Sequence, residues 1–361
     1  MEEIEQRKLK IAIISPPWFP VPPTGYGGIE LVVSLLTEGL CRKGHDVTLF
    51  ASGDSITQAR LISIFDKAPF KKMDDNIHLE NMQSLAAYSQ AEDFDIIHDH
   101  DGYGSRLLGA FTSRLLKKPV FATLHGPAEK QSLNFFHAIA SDLLYVAISD
   151  FQRKTFGNLN FAATIPNAVM IDRYPFSEST GNYLLFVGRM NEEKGAHIAA
   201  SVAKRTGKRL IMIGKCSENH EKQYFKDKVK PYLTRKIEYL GEVDHETKLE
   251  LYQGAECTLF PIQWPEPFGL VMIESMACGT PVIAIRNGSV PEVIRDGQTG
   301  FIVDDKFGMI EALKKIDKID RACCRDLVIK EYNEELFIDR HERIYRSALS
   351  AFENNLQKKR D

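Results

Sequence analysis

Along the first half of the chain, apolar residues gather in short unbroken runs separated by longer stretches of mixed polarity. KIAIIS at 10–15, DVTLFA at 46–51, DIIH at 95–98, VFATL at 120–124 and LYVAI at 144–148 are such runs, each bounded by polar or turn-forming residues. A run that is apolar at every position is buried on both faces, which is the pattern of strands in a parallel sheet covered by helices on either side. A loop rich in Pro and Gly follows the first run, and a helix is predicted over 29–43, where Gly44 ends it.

The pattern then restarts. YLLFV at 183–187, RLIMI at 209–213, IEYL at 237–240, CTLF at 257–260, PVIA at 281–284 and GFIV at 300–303 predict a second set of strands, with helices between most of them, one over 196–206. No obvious sequence repeat links the two halves. The boundary falls in the loop around 167–182, near Pro166, Pro175 and Gly181. The expected fold class is therefore α/β: two Rossmann-like, doubly wound domains, 1–170 and 171–340, facing across a cleft into which the strand C-termini deliver ligands. The last 30 or so residues read as helical and charged, and 341–361 is expected to pack back on the first domain.

A chain of 361 residues suits two domains of about 150 residues each, and 43% apolar content is enough to fill two cores. The formal net charge is −3, with 16 Lys+Arg against 19 Asp+Glu up to residue 167 and 30 against 30 beyond it. No global field draws the chain to nucleic acid or to an anionic membrane, so nucleic-acid partners are not expected and peripheral membrane contact is not indicated. The pairs Lys71-Lys72 and Lys117-Lys118 read as solvated surface. The six cysteines show no CxxC spacing, which argues against a zinc site or a redox pair, and Cys257 and Cys278 read as small core residues. MEEIEQRKLK lacks the apolar stretch of a signal peptide, and no apolar run approaches the roughly 18 residues of a membrane span, so a cytoplasmic protein with reduced thiols is expected.

The densest chemical signal is TLFPIQWPEPFGLVMIESMACGTPVIA. A strand ends near Phe260, Glu266-Pro267-Phe268-Gly269 makes a tight turn, and a helix runs from near Gly269 to Gly279. Backbone N–H groups at a helix start suit a phosphate or sugar oxygen. Carboxylates such as Glu266 and Glu274 suit hydroxyls, because each oxygen accepts a separate O–H. Two acids eight residues apart also occur on many surface helices, so spacing alone decides nothing. A second signal is Phe186-Val187-Gly188-Arg189-Met190-Asn191-Glu192-Glu193-Lys194-Gly195, where two cations flank an acidic loop after a strand and could share one pyrophosphate; a solvated charged loop is the plain alternative. A third is His125, directly after the strand run VFATL. A fourth is Pro22-Pro23-Thr24-Gly25-Tyr26-Gly27-Gly28-Ile29-Glu30, whose glycines let backbone approach a ligand closely. It is not a GxGxxG fingerprint, and Ala51-Ser52-Gly53-Asp54 lacks a clear ribose-binding acid at the second strand's tip, which argues against NAD. Finally, His98-Asp99-His100-Asp101 contains a formal DxD, and its two carboxylates and two imidazoles could hold Mn²⁺ or Zn²⁺.

The string from Glu266 through Ala284 resembles the donor-site signature of glycosyltransferase family 4, the group 1 glycosyltransferases, which have the GT-B fold and retain anomeric configuration. The 188–195 element resembles the family's G-R-x4-K-G, and Thr123-Leu124-His125 its T-x-H. The resemblance implies a nucleotide-sugar donor, with UDP the commonest base, a hexose transferred to an unknown hydroxyl acceptor, and neither cofactor nor metal. It implies that Arg189 and Lys194 bind the diphosphate, that Glu266 and His125 orient the sugar, and that Glu274 holds the ribose. Donor contacts from Gly27, Gly28, Phe268, Gly269 and Leu270 are implied as well. Tyr26, His100 and Asp101 fall on the acceptor side, and the 98–101 segment is then polar lining or structure rather than a metal site. Matches at Ile148-Ser149-Asp150 with Arg153 are looser. Ala168 replaces the glycine of P-N-G-V, and Asn287-Gly288-Ser289-Val290-Pro291-Glu292 keeps only one glycine of G-G-x-P-E. Two other functions suit the same architecture: a nucleotide-sugar epimerase or phosphorylase, and a non-catalytic nucleotide-sugar binding protein.

Overall fold

The computed structural model describes residues 7–70 and 78–357. Lys71 and Lys72 lie outside the described residues, as does most of the charged N-terminal stretch. The chain forms two compact units, Met1–Asn167 with Glu334–Asp361, and Ala168–Asn333.

The first unit is built from β1 (Lys10–Ile14), α1 (Gly28–Arg42), β2 (Asp46–Phe50), β3 (Arg60–Ile62), α2 (His78–Tyr88), β4 (Ile96–Asp99), α3 (Tyr103–Leu116), β5 (Val120–Thr123), α4 (Lys130–Ala138), β6 (Leu144–Ala147), α5 (Asp150–Phe156) and β7 (Phe161–Thr164). Its sheet has the order β3-β2-β1-β4-β5-β6-β7, and every pair is parallel. The apolar runs are buried on both faces because helices cover both sides, as at Phe121, Ala122, Tyr145 and Val146. The sequence pattern predicts neither outer strand. β3 and β7 are short, half-exposed and less continuously apolar than the central strands.

The second unit runs β8 (Tyr183–Val187), α6 (Ala196–Thr206), β9 (Arg209–Ile213), α7 (Asn219–Tyr224), β10 (Ile237–Tyr239), α8 (His245–Gln253), β11 (Cys257–Phe260), α9 (Leu270–Ala277), β12 (Val282–Ile285), α10 (Val290–Val293), β13 (Gly300–Val303), α11 (Lys306–Leu313) and α12 (Arg321–Glu331). Its sheet is also parallel throughout, in the order β10-β9-β8-β11-β12-β13. The chain then enters α13 (Glu334–Gln357), which packs on α1 of the first unit. Gly39 makes room for it: a Cβ there would lie 2.0 Å from Ile338 Cδ1. Ion pairs Arg42–Glu334 (2.6 Å) and Lys43–Glu342 (2.7 Å) flank that contact.

Both sheets reverse winding direction once, between β1 and β4 in the first unit and between β8 and β11 in the second. In such sheets loops diverge at the reversal and leave room for a ligand beyond the strand C-termini. The two candidate chemistries of the sequence sit at these two places.

Candidate functional site

In the second unit, β8 ends into the loop carrying Arg189 and Lys194, and its neighbour β11 ends into the loop carrying Glu266. The strands are paired in register, with Cys257 opposite Leu184, so the two loops leave the sheet side by side. Backbone stitches them: Gln263 N donates to Glu193 O at 2.7 Å. Gly195 makes the closeness possible. Its φ is +73°, and a Cβ would fall 2.2 Å from Pro261 O.

This places the ammonium of Lys194 on Glu266 Oε2. The same oxygen accepts the indole N–H of Trp264 at 2.8 Å, and the Lys194 ammonium lies 5.0 Å from the centre of the Trp264 ring. Glu266 is thereby held by a cation and a neutral donor through one oxygen, while Oε1 makes no side-chain hydrogen bond among the described residues. Arg189 stands in the same loop, 3.7 Å from Glu193. From the other side, Ser289 N donates to Glu266 O (3.0 Å) and Ser289 Oγ to Phe268 O (2.7 Å). Gly288, at φ +55°, lies so close that a Cβ would be 2.2 Å from Glu266 O and 2.5 Å from Glu266 N.

Glu274 projects from α9 into a buried polar cluster. Its Oε1 accepts from Lys248 Nζ (2.8 Å) and Tyr174 Oη (3.3 Å), and its Oε2 from Tyr252 Oη (2.9 Å). Burial pushes its pKa up, but Lys248 and the Tyr252 hydroxyl outweigh that and leave it below the usual carboxylate value. It is an ionised carboxylate held by three donors. Phe268 is placed differently from a side-chain ligand. It is buried against Tyr332 (ring centroids 5.9 Å), and its carbonyl accepts from Ser289 Oγ, so it is a core residue beneath the turn.

In the first unit the reversal between β1 and β4 carries the 98–101 segment, fixed by His100 N donating to Ile14 O at 2.9 Å. Its side chains go separate ways. Asp99 accepts from Tyr88 Oη (2.7 Å), Ser105 Oγ (2.6 Å) and Asp101 N (2.8 Å). Asp101 accepts from Ser84 Oγ (2.9 Å) and Gly102 N (2.8 Å). His98 is bound to Tyr345 Oη and Thr123 Oγ1. His100 bonds His125 at 2.9 Å through Nδ1 and Nε2. Burial raises the pKa of both aspartates and lowers that of all three histidines, His125 to about 3. The segment is a buried hydrogen-bond network and not a converging set of metal ligands. Of Tyr26, His100 and Asp101, only Tyr26 exposes its side chain. The Gly27-Gly28 turn starts α1, and burial behind it raises the pKa of Glu30 to about 7. Among the described residues, one group does bring ligand atoms together, Glu218, His220 and Glu221, but Lys215 already occupies Glu218, and Glu221 accepts the N–H groups of Ser217 and Glu218.

A family model described as Glycosyl transferases group 1 matches residues 172–322, and one described as Glycosyltransferase Family 4 matches residues 26–173. The chain belongs to the group 1 glycosyltransferases. It is similar to the phosphatidyl-myo-inositol mannosyltransferase of Mycolicibacterium smegmatis, at 27% identity over 338 residues covering 84% of each chain. Its fold is GT-B. It is similar to sucrose-phosphate synthase from Thermosynechococcus elongatus (TM-score 0.80, 21% identity, 96% of this chain and 100% of that one). It is also similar to Anabaena Alr3699/HepE in complex with UDP and glucose (TM-score 0.76, 18% identity, 94% and 100%).

Several residues of this glycosyltransferase escape a reading of its sequence. Trp264 lies inside the quoted motif, yet nothing in the string says that its N–H meets Glu266. Lys248, Tyr174 and Tyr252 reach Glu274 from distant segments. Gln152 donates to Leu124 O (2.9 Å) and Gly126 O (2.8 Å) and so clamps the turn carrying His125. The 148–150 element is the cap of the same helix, since Ser149 Oγ accepts from Gln152 N. Lys118 departs from the solvated reading: it is half-buried and donates to the carbonyls of Ala91 (3.0 Å) and Phe94 (2.8 Å). Cys257 and Cys278 are buried core residues. Among the described residues no helix is long and apolar enough to cross a membrane.

Proposed function

We propose that the enzyme transfers a hexose from a nucleoside-diphosphate sugar, a UDP-sugar first among them, to an acceptor hydroxyl, with retention and without a metal ion. The observation that carries this reading is the meeting of Lys194, Trp264 and Glu266, beside Arg189, at the sheet reversal of the second unit. Cations for a diphosphate and a carboxylate for sugar hydroxyls are what such a donor requires in adjacent positions. On this reading Lys194 leaves Glu266 for the diphosphate and, with Arg189, neutralises the charge that grows as the glycosidic C–O bond breaks. Glu266 then turns to the sugar, still oriented by Trp264, and Glu274 takes the ribose. The leaving phosphate oxygen accepts the acceptor's proton as the new C–O bond forms on the same face, so no protein carboxylate attacks the sugar. His125 contacts the sugar on the T-x-H pattern. UDP heads the donors because a structure similar in fold holds UDP and glucose.

A thermal-shift screen of nucleotide sugars identifies the donor, since a specific ligand raises the melting temperature. With that donor, Lys194→Ala and Glu266→Ala each lose transfer by on the order of 10²-fold or more while keeping the wild-type melting temperature to within a few degrees. Wild-type turnover in both variants sinks the assignment. Proton NMR of the product checks retention, and EDTA is expected to leave the rate unchanged; full dependence on Mn²⁺ refutes the metal-free reading. Conversion of donor with no acceptor present points instead to an epimerase.

A further inference from the structure

His125 has one side-chain hydrogen bond among the described residues, from Nε2 to His100 Nδ1 at 2.9 Å. Its other nitrogen, Nδ1, has no protein partner among those residues, and the side chain is partly exposed. His100 is fixed. It is 2% exposed, its backbone is tied to β1, and its ring packs between His98 (centroids 4.3 Å) and His125 (5.2 Å). Its Nε2 is buried and has no hydrogen-bond partner.

Burial holds both imidazoles neutral, so each ring carries a single N–H, and two arrangements of the bond are possible. If His125 Nε2–H donates, His100 accepts at Nδ1 and must carry its proton on the buried, partnerless Nε2. If His100 Nδ1–H donates, its Nε2 keeps only a lone pair. A buried N–H without an acceptor forfeits a strong donor bond, and orphaned donors are the rarer defect in folded proteins. The second arrangement is therefore favoured, and it determines the proton on His125, because the bond made by one ring nitrogen sets the state of the other.

We propose that His100 is a positioning residue that fixes His125 as the Nδ1–H tautomer, so that His125 meets its substrate as a neutral hydrogen-bond donor and not as a base. The substrate half rests on the reading of His125 as a sugar contact. A donor at that position suits a hydroxyl or phosphate oxygen of the donor sugar, and proton removal from the acceptor is left to the leaving phosphate. Asp99 and Asp101 do not compete for the ring protons. Asp99 is bonded to Tyr88, Ser105 and the Asp101 backbone, and Asp101 to Ser84 and the Gly102 backbone. The nearby cation, Arg106, lowers the pKa of both histidines and so reinforces neutrality.

The test is a long-range proton–nitrogen NMR spectrum of the full-length enzyme with ¹⁵N-labelled histidine. The His125 signals are assigned by their loss in His125→Asn. In the wild type Nδ1 is expected to be protonated and Nε2 bare. In His100→Phe the tautomer shifts toward Nε2–H, and kcat falls on the order of tenfold with donor KM nearly unchanged, a smaller loss than the 10²–10³ for deleting an oxyanion donor outright. His100→Asn, whose amide N–H can stand in for Nδ1–H, recovers most of that loss. A wild-type Nε2–H signal, or a tautomer unmoved in His100→Phe, overturns the proposal; if His100→Phe does not fold, the wild-type spectrum decides alone. Should the spectrum agree while His125→Asn transfers sugar at the wild-type rate, the sugar-contact reading falls and the tautomer assignment stands.

Discussion

Gly288→Ala bears directly on whether the shape of the Glu266 turn, beyond the presence of its carboxylate, makes the donor site. Ordinary van der Waals contact begins near 3.4 Å, and the new Cβ would sit 2.2 Å from Glu266 O, so one of the two turns must move by about 1.2 Å. Every crowded atom belongs to the backbone of Glu266, and no side-chain rotation relieves the clash. The variant also places an L-residue at φ +55°, which costs about 1–2 kcal/mol, and overpacking adds about 1–3 kcal/mol. Displacing a positioning group by about 1 Å lowers turnover by roughly 10²-fold. The control is Gly297→Ala, at φ +73° with nothing within 4 Å of the added Cβ. It carries the left-handed penalty without the clash. Initial-rate kinetics of both variants and thermal melts separate the two effects: Gly288→Ala is expected to lose about 10²-fold in kcat/KM, and Gly297→Ala only stability. If Gly288→Ala transfers within about threefold of wild type, or if both variants lose activity equally, the geometric argument is wrong.

Other expectations are more local. Lys248→Met strips Glu274 of its cation while leaving both tyrosines; the pair lies at low exposure and should be worth about 1–3 kcal/mol, between surface and buried examples. Because the folded-state pKa of Glu274 is lowered, that stability is present above the ordinary carboxylate value and lost as pH falls through the lowered one, so melts of the two proteins should diverge at neutral pH and converge in acid. Glu30 has the opposite sign. Its pKa is raised from 4.5 to about 7, so its ionisation on going from pH 4.5 to 7 opposes folding by roughly 3 kcal/mol, and Glu30→Gln should gain on wild type across that window; a pH-independent difference refutes it. Trp264→Phe keeps a ring beneath Lys194 but removes the donor to Glu266, and should raise donor KM several-fold with little change in melting temperature; unchanged kinetics would show that Lys194 alone orients the carboxylate.

The central strands were legible because burial on both faces demands unbroken apolar runs, and β8, β9 and β11 begin and end where the sequence pattern places them. The edge strands of the first sheet, β3 and β7, were not, because one pairing partner and partial exposure relax that demand, as Arg60 in β3 shows, whereas the edges of the second sheet, β10 and β13, keep apolar runs and were legible. The site divides the same way. Glu266, Lys194 and Arg189 stand in loops whose composition announces chemistry. Glu274 shows the limit: its spacing from Glu266 marks it, yet its state depends on Tyr174, Lys248 and Tyr252, and no local pattern links it to α8, which carries the last two, or to the loop that carries Tyr174. Gly288 is a similar case. As the single survivor of a two-glycine pattern it reads as a weakened match, whereas the fold shows that this position is the one at which a side chain cannot fit.

The two sheet reversals share a geometry and differ in electrostatics. In the second unit, opposite charges are paired at low exposure: Lys194 with Glu266 and Lys248 with Glu274. In such pairs each charge is compensated by its neighbour, and an anionic donor can exchange for one partner without leaving a bare buried charge. In the first unit, burial drives groups toward neutrality instead. His98, His100 and His125 lose their protons, while Asp99, Asp101 and Glu30 are pushed toward keeping theirs. His125, the partly exposed member of this set, is a neutral hydrogen-bonding group, which has no selectivity for a diphosphate but suits hydroxyls, since a missing O–H leaves a polar group unsatisfied. On the proposed reading this divides the work: the second unit recognises the nucleotide by charge, and the buried network of the first holds His125 neutral for contact with an uncharged hydroxyl of the sugar.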